Sequence, residues 1–210
     1  MPTTSSDLPS LIEQLRSKSS PKRRSAALKL RKLGNQAAGP ALLDALKNEL
    51  KDPRTWETQY QMIMALGHSG TTEAIPLLEI LAHEPFVGRT MVLVAIGDAL
   101  VRRCRSSDAD AGPVLKLLSI ANVGSLHDGA LRAVAMLRMR FNDAETREII
   151  RAVDAAEVES RKFWLIAACP GWSGSEVDRF VERCLSSTRA DVREAAADAK
   201  LKKYRNWRPL

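Results

Sequence analysis

A Pro-x-Leu signal returns four times at helical-repeat spacing, as Pro9-Ser10-Leu11, Pro40-Ala41-Leu42, Pro76-Leu77-Leu78 and Pro113-Val114-Leu115, with steps of 31, 36 and 37 residues. Proline suits the first turn of a helix, where its missing N–H would have no intrahelical partner. Each signal opens a leucine-rich amphipathic segment, and each segment is followed by a more alanine-rich one. Self-similarity at such a period describes stacked helix pairs, because one pair cannot bury its apolar face alone.

Reading the apolar 3–4 spacing along the chain gives six pairs. The first runs from Pro9 and is joined by 21–34, with Ala26, Ala27, Leu30 and Leu33 on one face and Gly34 as C-cap. The next are 40–50 with 55–66, stopping at Gly67, and 73–81 with 87–103. Then follow 112–121 with 126–141, 144–153 with 158–169, and 175–185 with 190–204. Residues 87–100 are apolar almost all round, the mark of a helix buried on several sides. No stretch alternates with period two, so the chain is expected to be all-α. Residues 7–204 read as one repeat domain, preceded by a disordered 1–6 and followed by a basic, aromatic tail at 205–210.

Two junctions resemble the HEAT repeats, including their PBS-lyase-type HEAT-like branch. Ala65-Leu66-Gly67-His68-Ser69-Gly70 followed by Glu73-Ala74-Ile75-Pro76-Leu77-Leu78 is similar to the passage from a second helix to the next first helix. Asp191-Val192-Arg193-Glu194-Ala195-Ala196 is similar to the start of a second helix, and Ala95-Ile96-Gly97 repeats the helix-end pattern. The resemblance implies a right-handed α-solenoid of about six antiparallel helix pairs. It also implies that the second helices line the concave side.

The net charge is +7, and its distribution matters more than its total. Summed with their flanks, the first helices carry −8 and the second helices +15. The positive charge peaks at the two ends, in Lys22, Arg23, Arg24, Lys29, Arg31 and Lys32 and in Lys200, Lys202, Lys203, Arg205 and Arg208. With the concave assignment this describes a basic trough for an acidic protein, and Arg24, Arg31, Arg102, Arg105, Arg132, Arg138 and Lys202 are the residues expected to line it. Four acid-to-base pairs at i,i+4, Asp98/Arg102, Asp128/Arg132, Glu157/Arg161 and Asp198/Lys202, would neutralise part of it.

The alternative partner is DNA or RNA, whose phosphates the same cations would meet. Trp56 and Trp207 would then be available to stack. A resemblance to the HEAT-like alkylpurine DNA glycosylases would cast Asp98 beside Trp56 and Trp164 as the base-handling site. Trp207 is read first as a cover for the last repeat. No cofactor or metal is expected: His68, His83 and His127 are scattered, and there is no P-loop, HExxH, GxSxG or GxGxxG. Cys104, Cys169 and Cys184 have no ligand spacing and read as free thiols of a reducing cytoplasm. No apolar run reaches the roughly 20 residues that span a bilayer, and Met1–Ser6 lacks the basic and apolar regions of a secretory signal.

Overall fold

The computed structural model describes residues 7–84, 86, 88–121, 123–155 and 159–205. These are helical with no strand among them, and the chain divides into two compact units, Met1–Cys104 and Arg105–Leu210. The first unit holds α1 (Leu8–Gln14), α2 (Ser20–Leu33), α3 (Gly39–Glu49), α4 (Trp56–Ser69), α5 (Ile75–Ala82) and α6 (Thr90–Cys104). The second holds α7 (Gly112–Leu118), α8 (Gly124–Leu137), α9 (Asp143–Asp154), α10 (Glu159–Ala168), α11 (Ser175–Leu185) and α12 (Ala190–Lys200). The Pro-x-Leu prolines sit in the first turns of α1, α3, α5 and α7, as expected.

Within each unit the second helices form one stack, α2 on α4 on α6 and α8 on α10 on α12, and each first helix lies against its own second helix. The core is built from that stack. Helix α2 packs on α4, and Ala26, Ala27 and Leu30 of the one and Met62, Ile63 and Leu66 of the other are all closed to solvent. Helix α6 is buried at nearly every position from Val92 to Val101, which matches its all-round apolar sequence.

Gly67 does not end α4. The helix continues to Ser69, and Gly70, at φ 89°, closes it in the left-handed conformation. What Gly67 provides is proximity: a Cβ there would stand 2.9 Å from the Cα of Ala99, so α4 and α6 touch backbone to backbone. Helix α8 stops at Leu137, short of the expected Phe141, and α12 stops at Lys200, short of Tyr204. The reason is the same in both. Arg138 (φ 54°) and Lys202 (φ 53°) turn left-handed, and the amides of Met139 and Lys203 then bond back to the carbonyls of Val134 and Asp198. A side chain in that conformation is strained, and both residues are held by contacts described below.

The last carbonyls of a helix have no partner within it. In four of the pairs a side chain near the start of the second helix donates to the carbonyls where the first helix ends. Arg23 Nη1 reaches Ser17 (2.8 Å) and Lys18 (3.1 Å), and Gln59 Nε2 reaches Glu49 (3.1 Å) and Asp52 (2.9 Å). His127 Nε2 donates to Ile120 at 2.8 Å, and Arg193 Nη1 to Ser187 (2.7 Å) and Thr188 (2.9 Å). Three residue types perform one task.

Replacing Gly67 with Ala inserts a methyl between two helix backbones. The expected cost is about 1–3 kcal/mol of unfolding free energy, read from urea titrations of wild type and Gly67→Ala. An unchanged midpoint and slope would show that the α4–α6 contact is looser than described.

Candidate functional site

The α2 sequence Ser-Pro-Lys-Arg-Arg-Ser-Ala-Ala-Leu-Lys-Leu-Arg-Lys-Leu carries six cations and no acid. The fold sorts those cations into two groups. Arg23 faces inward, with Nε 2.6 Å from Glu49 Oε2 and Nη2 2.8 Å from Oε1. Ser20 adds a third bond to Glu49 at 3.1 Å and also meets Thr58 at 2.7 Å. Glu49 is 2% exposed. Burial alone would push its carboxyl up, but bonds from Arg23, Thr55 and Ser20 outweigh that and hold it below the usual carboxylate range. Arg24 is ion-paired with Glu57 of α4, and Arg31 is buried. The second group is Lys22, Lys29 and Lys32, exposed together with Ser25 and engaged in no ion pair among the described residues. A pocket of about 480 Å³ opens beside the Arg23–Glu49 pair between α1 and α3, lined in part by Ile12, Leu15, Ala41 and Asp44.

On α6, Asp98 is fully buried and binds Arg102 Nε at 2.5 Å, the i,i+4 pair expected from the sequence. Trp56, 37% exposed, stands at the start of α4, eleven residues before Gly67, where Ala99 and Arg102 of α6 approach.

In the second unit the remaining expected cations are held by the fold. Arg105 pairs with Asp108 at 2.7 Å. Arg132 is buried with its guanidinium 5.8 Å from the centre of the Trp164 ring. Arg138 lies 4.5 Å over the Tyr204 ring, and Lys202 Nζ donates to the Trp172 carbonyl at 2.7 Å. Trp172 in turn donates to Met139 at 2.8 Å and meets Phe141. The left-handed turns at Arg138 and Lys202 are therefore fixed by their own side chains. Arg205 holds Asp198 at 2.5 Å and Glu194 at 3.0 Å, taking the place expected for Lys202. Lys200 pairs with Glu182, and Arg189 with Asp191. Trp207 and Glu157 lie outside the described residues.

Asp128 does not repeat the Asp98 arrangement. Its pKa is raised by burial, against the opposing field of Arg161 and Arg189. His127 is pushed down by burial, so it stays neutral while donating to Ile120. Among the described residues no three His, Cys, Asp or Glu side chains gather as a metal site. None of the three cysteines is in a disulfide; Cys104 is exposed, and burial pushes Cys184 up to about 12. No described helix is long and apolar enough to cross a membrane.

Residues 8–97 match the family model described as HEAT repeats. This stretch is a run of HEAT repeats. It covers α1 to α5 and the first half of α6, the region where the junction motifs at 65–78 lie. The solved structure of human deoxyhypusine hydroxylase in complex with glycerol aligns at a TM-score of 0.40 and 14% identity, over 95% of this chain and 85% of that one. A likeness at that level bears on neither fold detail nor activity. No curated protein sequence matches the chain.

The Arg23–Glu49 clamp was not among the expected site residues, since only the fold brings positions 26 apart together. The lysine stripe had a visible signal: once Ala26, Ala27 and Leu30 define the buried face, positions 22, 25, 29 and 32 must lie opposite.

Truncating Arg23 leaves a buried carboxylate without its cation, which costs about 3 kcal/mol. In the wild type the depressed Glu49 pKa gives stability that is present above the unfolded-state pKa and lost as pH falls through the folded one. In Arg23→Ala, only Ser20 and Thr55 still oppose burial, which weakens that slope. The stability gap between the two proteins should therefore be full at about pH 7 and shrink towards about pH 4. A gap independent of pH in urea titrations would separate the destabilisation from the Glu49 charge.

Proposed function

We propose that the protein is a non-enzymatic binding scaffold that presents a basic part of its second-helix layer to an acidic protein partner, in the cytoplasm. The observation that carries this reading is the charge of α2: six cations with no acid on the helix, of which three lysines stay exposed and unpaired. HEAT repeats are a helical framework suited to presenting extended surfaces to partners. Charge complementarity on such a surface raises association rate and specificity more than raw affinity. Three cysteines outside any disulfide, one of them exposed, fit a reducing compartment.

The test titrates a labelled polyglutamate chain, a DNA duplex and a single-stranded oligonucleotide into the protein across about 50–300 mM salt. The expected result is salt-sensitive polyglutamate binding that exceeds binding of either oligonucleotide at every salt concentration. Tighter oligonucleotide binding with a slope of several ions would replace this reading with nucleic-acid binding. No binding of any polyanion at the lowest salt would remove the basic surface from the function.

A further inference from the structure

Lys22, Ser25, Lys29 and Lys32 lie on the face of α2 opposite Ala26, Ala27 and Leu30. They form a straight stripe at 3–4 spacing, about 15 Å long at 1.5 Å per residue. No acid on α2 shields it, and none of the three ammonium groups is engaged by another described side chain. The flanks are apolar: Leu28 on one side and Leu33 on the other are only partly buried. By contrast, α12 and its following residues carry comparable sequence charge but spend it internally, on Glu182, Asp198, Glu194 and the carbonyls of Ser187, Thr188 and Trp172. The two ends look alike in sequence and differ in what they leave free.

The geometry points to an acidic amphipathic α-helix of a partner protein, laid along α2 with its carboxylates against Lys22, Lys29 and Lys32 and its apolar edges against Leu28 and Leu33. This deepens the acidic-partner reading above and rests on it. One feature favours a helix, and two favour a protein over a nucleic acid. Lys22 and Lys29 are seven residues apart, a return of about 10.5 Å that a second helix reproduces with its own residues at i and i+7. The charges are lysines, point cations on flexible stems, whereas the planar fork of arginine suits bidentate phosphate recognition. The exposed face also contains no aromatic side chain on which a base could stack.

The experiment uses the full chain and two labelled peptides of about 20 residues, long enough to be helical. One carries Glu at i, i+3, i+7 and i+10 beside a leucine edge, and the other has the same composition scrambled. Binding is measured by fluorescence anisotropy against wild type, the double variant Lys22→Glu/Lys29→Glu, Ser25→Glu, and Lys47→Glu, which reverses an exposed lysine of α3. Circular dichroism and urea midpoints confirm that each variant is folded. The expected result is that the patterned peptide binds wild type at least about tenfold tighter than the scrambled one. The double variant and Ser25→Glu should each lose about tenfold or more through like-charge opposition, while Lys47→Glu binds as wild type does.

Equal binding of both peptides, lost in the double variant, overturns the helical partner and leaves the acidic-partner reading standing. Binding of the patterned peptide that Lys47→Glu weakens as much as the stripe variants overturns the stripe. A DNA duplex that binds tighter than either peptide and depends on the same lysines overturns the choice of partner class. Failure of both peptides and of polyglutamate removes the inference and the reading beneath it together.

Discussion

A first helix that ends against its partner leaves carbonyl oxygens near apolar surface, where an unpaired polar group costs more than most single contacts return. This chain meets that constraint with a donor sent back from the second helix: Arg23, Gln59, His127 and Arg193 each close the turn that precedes them. The donor also fixes the angle at which the two helices meet, since it comes from one and lands on the end of the other. Stacking of second helices depends on that angle. In that stack α4 and α6 approach closely enough for Gly67 to touch Ala99.

The first pair adds a second bond set to the same arginine. Arg23 closes its own turn with Nη1 and reaches Glu49 of the next first helix with Nε and Nη2. One guanidinium thus satisfies a turn and joins two repeats, using the five-donor fork that distinguishes arginine from lysine. Glu49 tolerates burial because its charge is met from two sides, by Arg23 and Ser20. Such a pair is weak evidence for net stability, yet it is costly to break by halves.

Much of the helical order was legible in the sequence because it depends on local rules. Proline marked first turns, 3–4 spacing marked buried faces, and Gly34 at φ 60° capped α2. Where the reading missed, a distant contact had overridden a local rule. Gly67 looks like a stop, but its missing Cβ is used by Ala99, thirty-two residues on. Arg138 and Lys202 have good helical character, yet the Tyr204 ring and the Trp172 carbonyl hold them in left-handed turns. Charge was the least legible property. Summing it by layer located the basic helices, but not which cations the interior would claim. Arg24, Arg31, Arg102, Arg105, Arg132, Arg138 and Lys202 are all engaged or buried, while Lys22, Lys29 and Lys32 are left outside.

The turn arginines also bear on how such an array can grow. Arg23 and Arg193 make the same two bonds, to the carbonyls six and five residues before them, in the first pair and in the last. A pair closed from within can be copied or removed as a block without orphaning a bond inside it. Neighbouring blocks are still joined by the stacked apolar faces of their second helices, to which Glu49 adds one carboxylate near the end of the following first helix. Repeat number is therefore bounded by that stacking, and the Arg23–Glu49 tie is an addition to it.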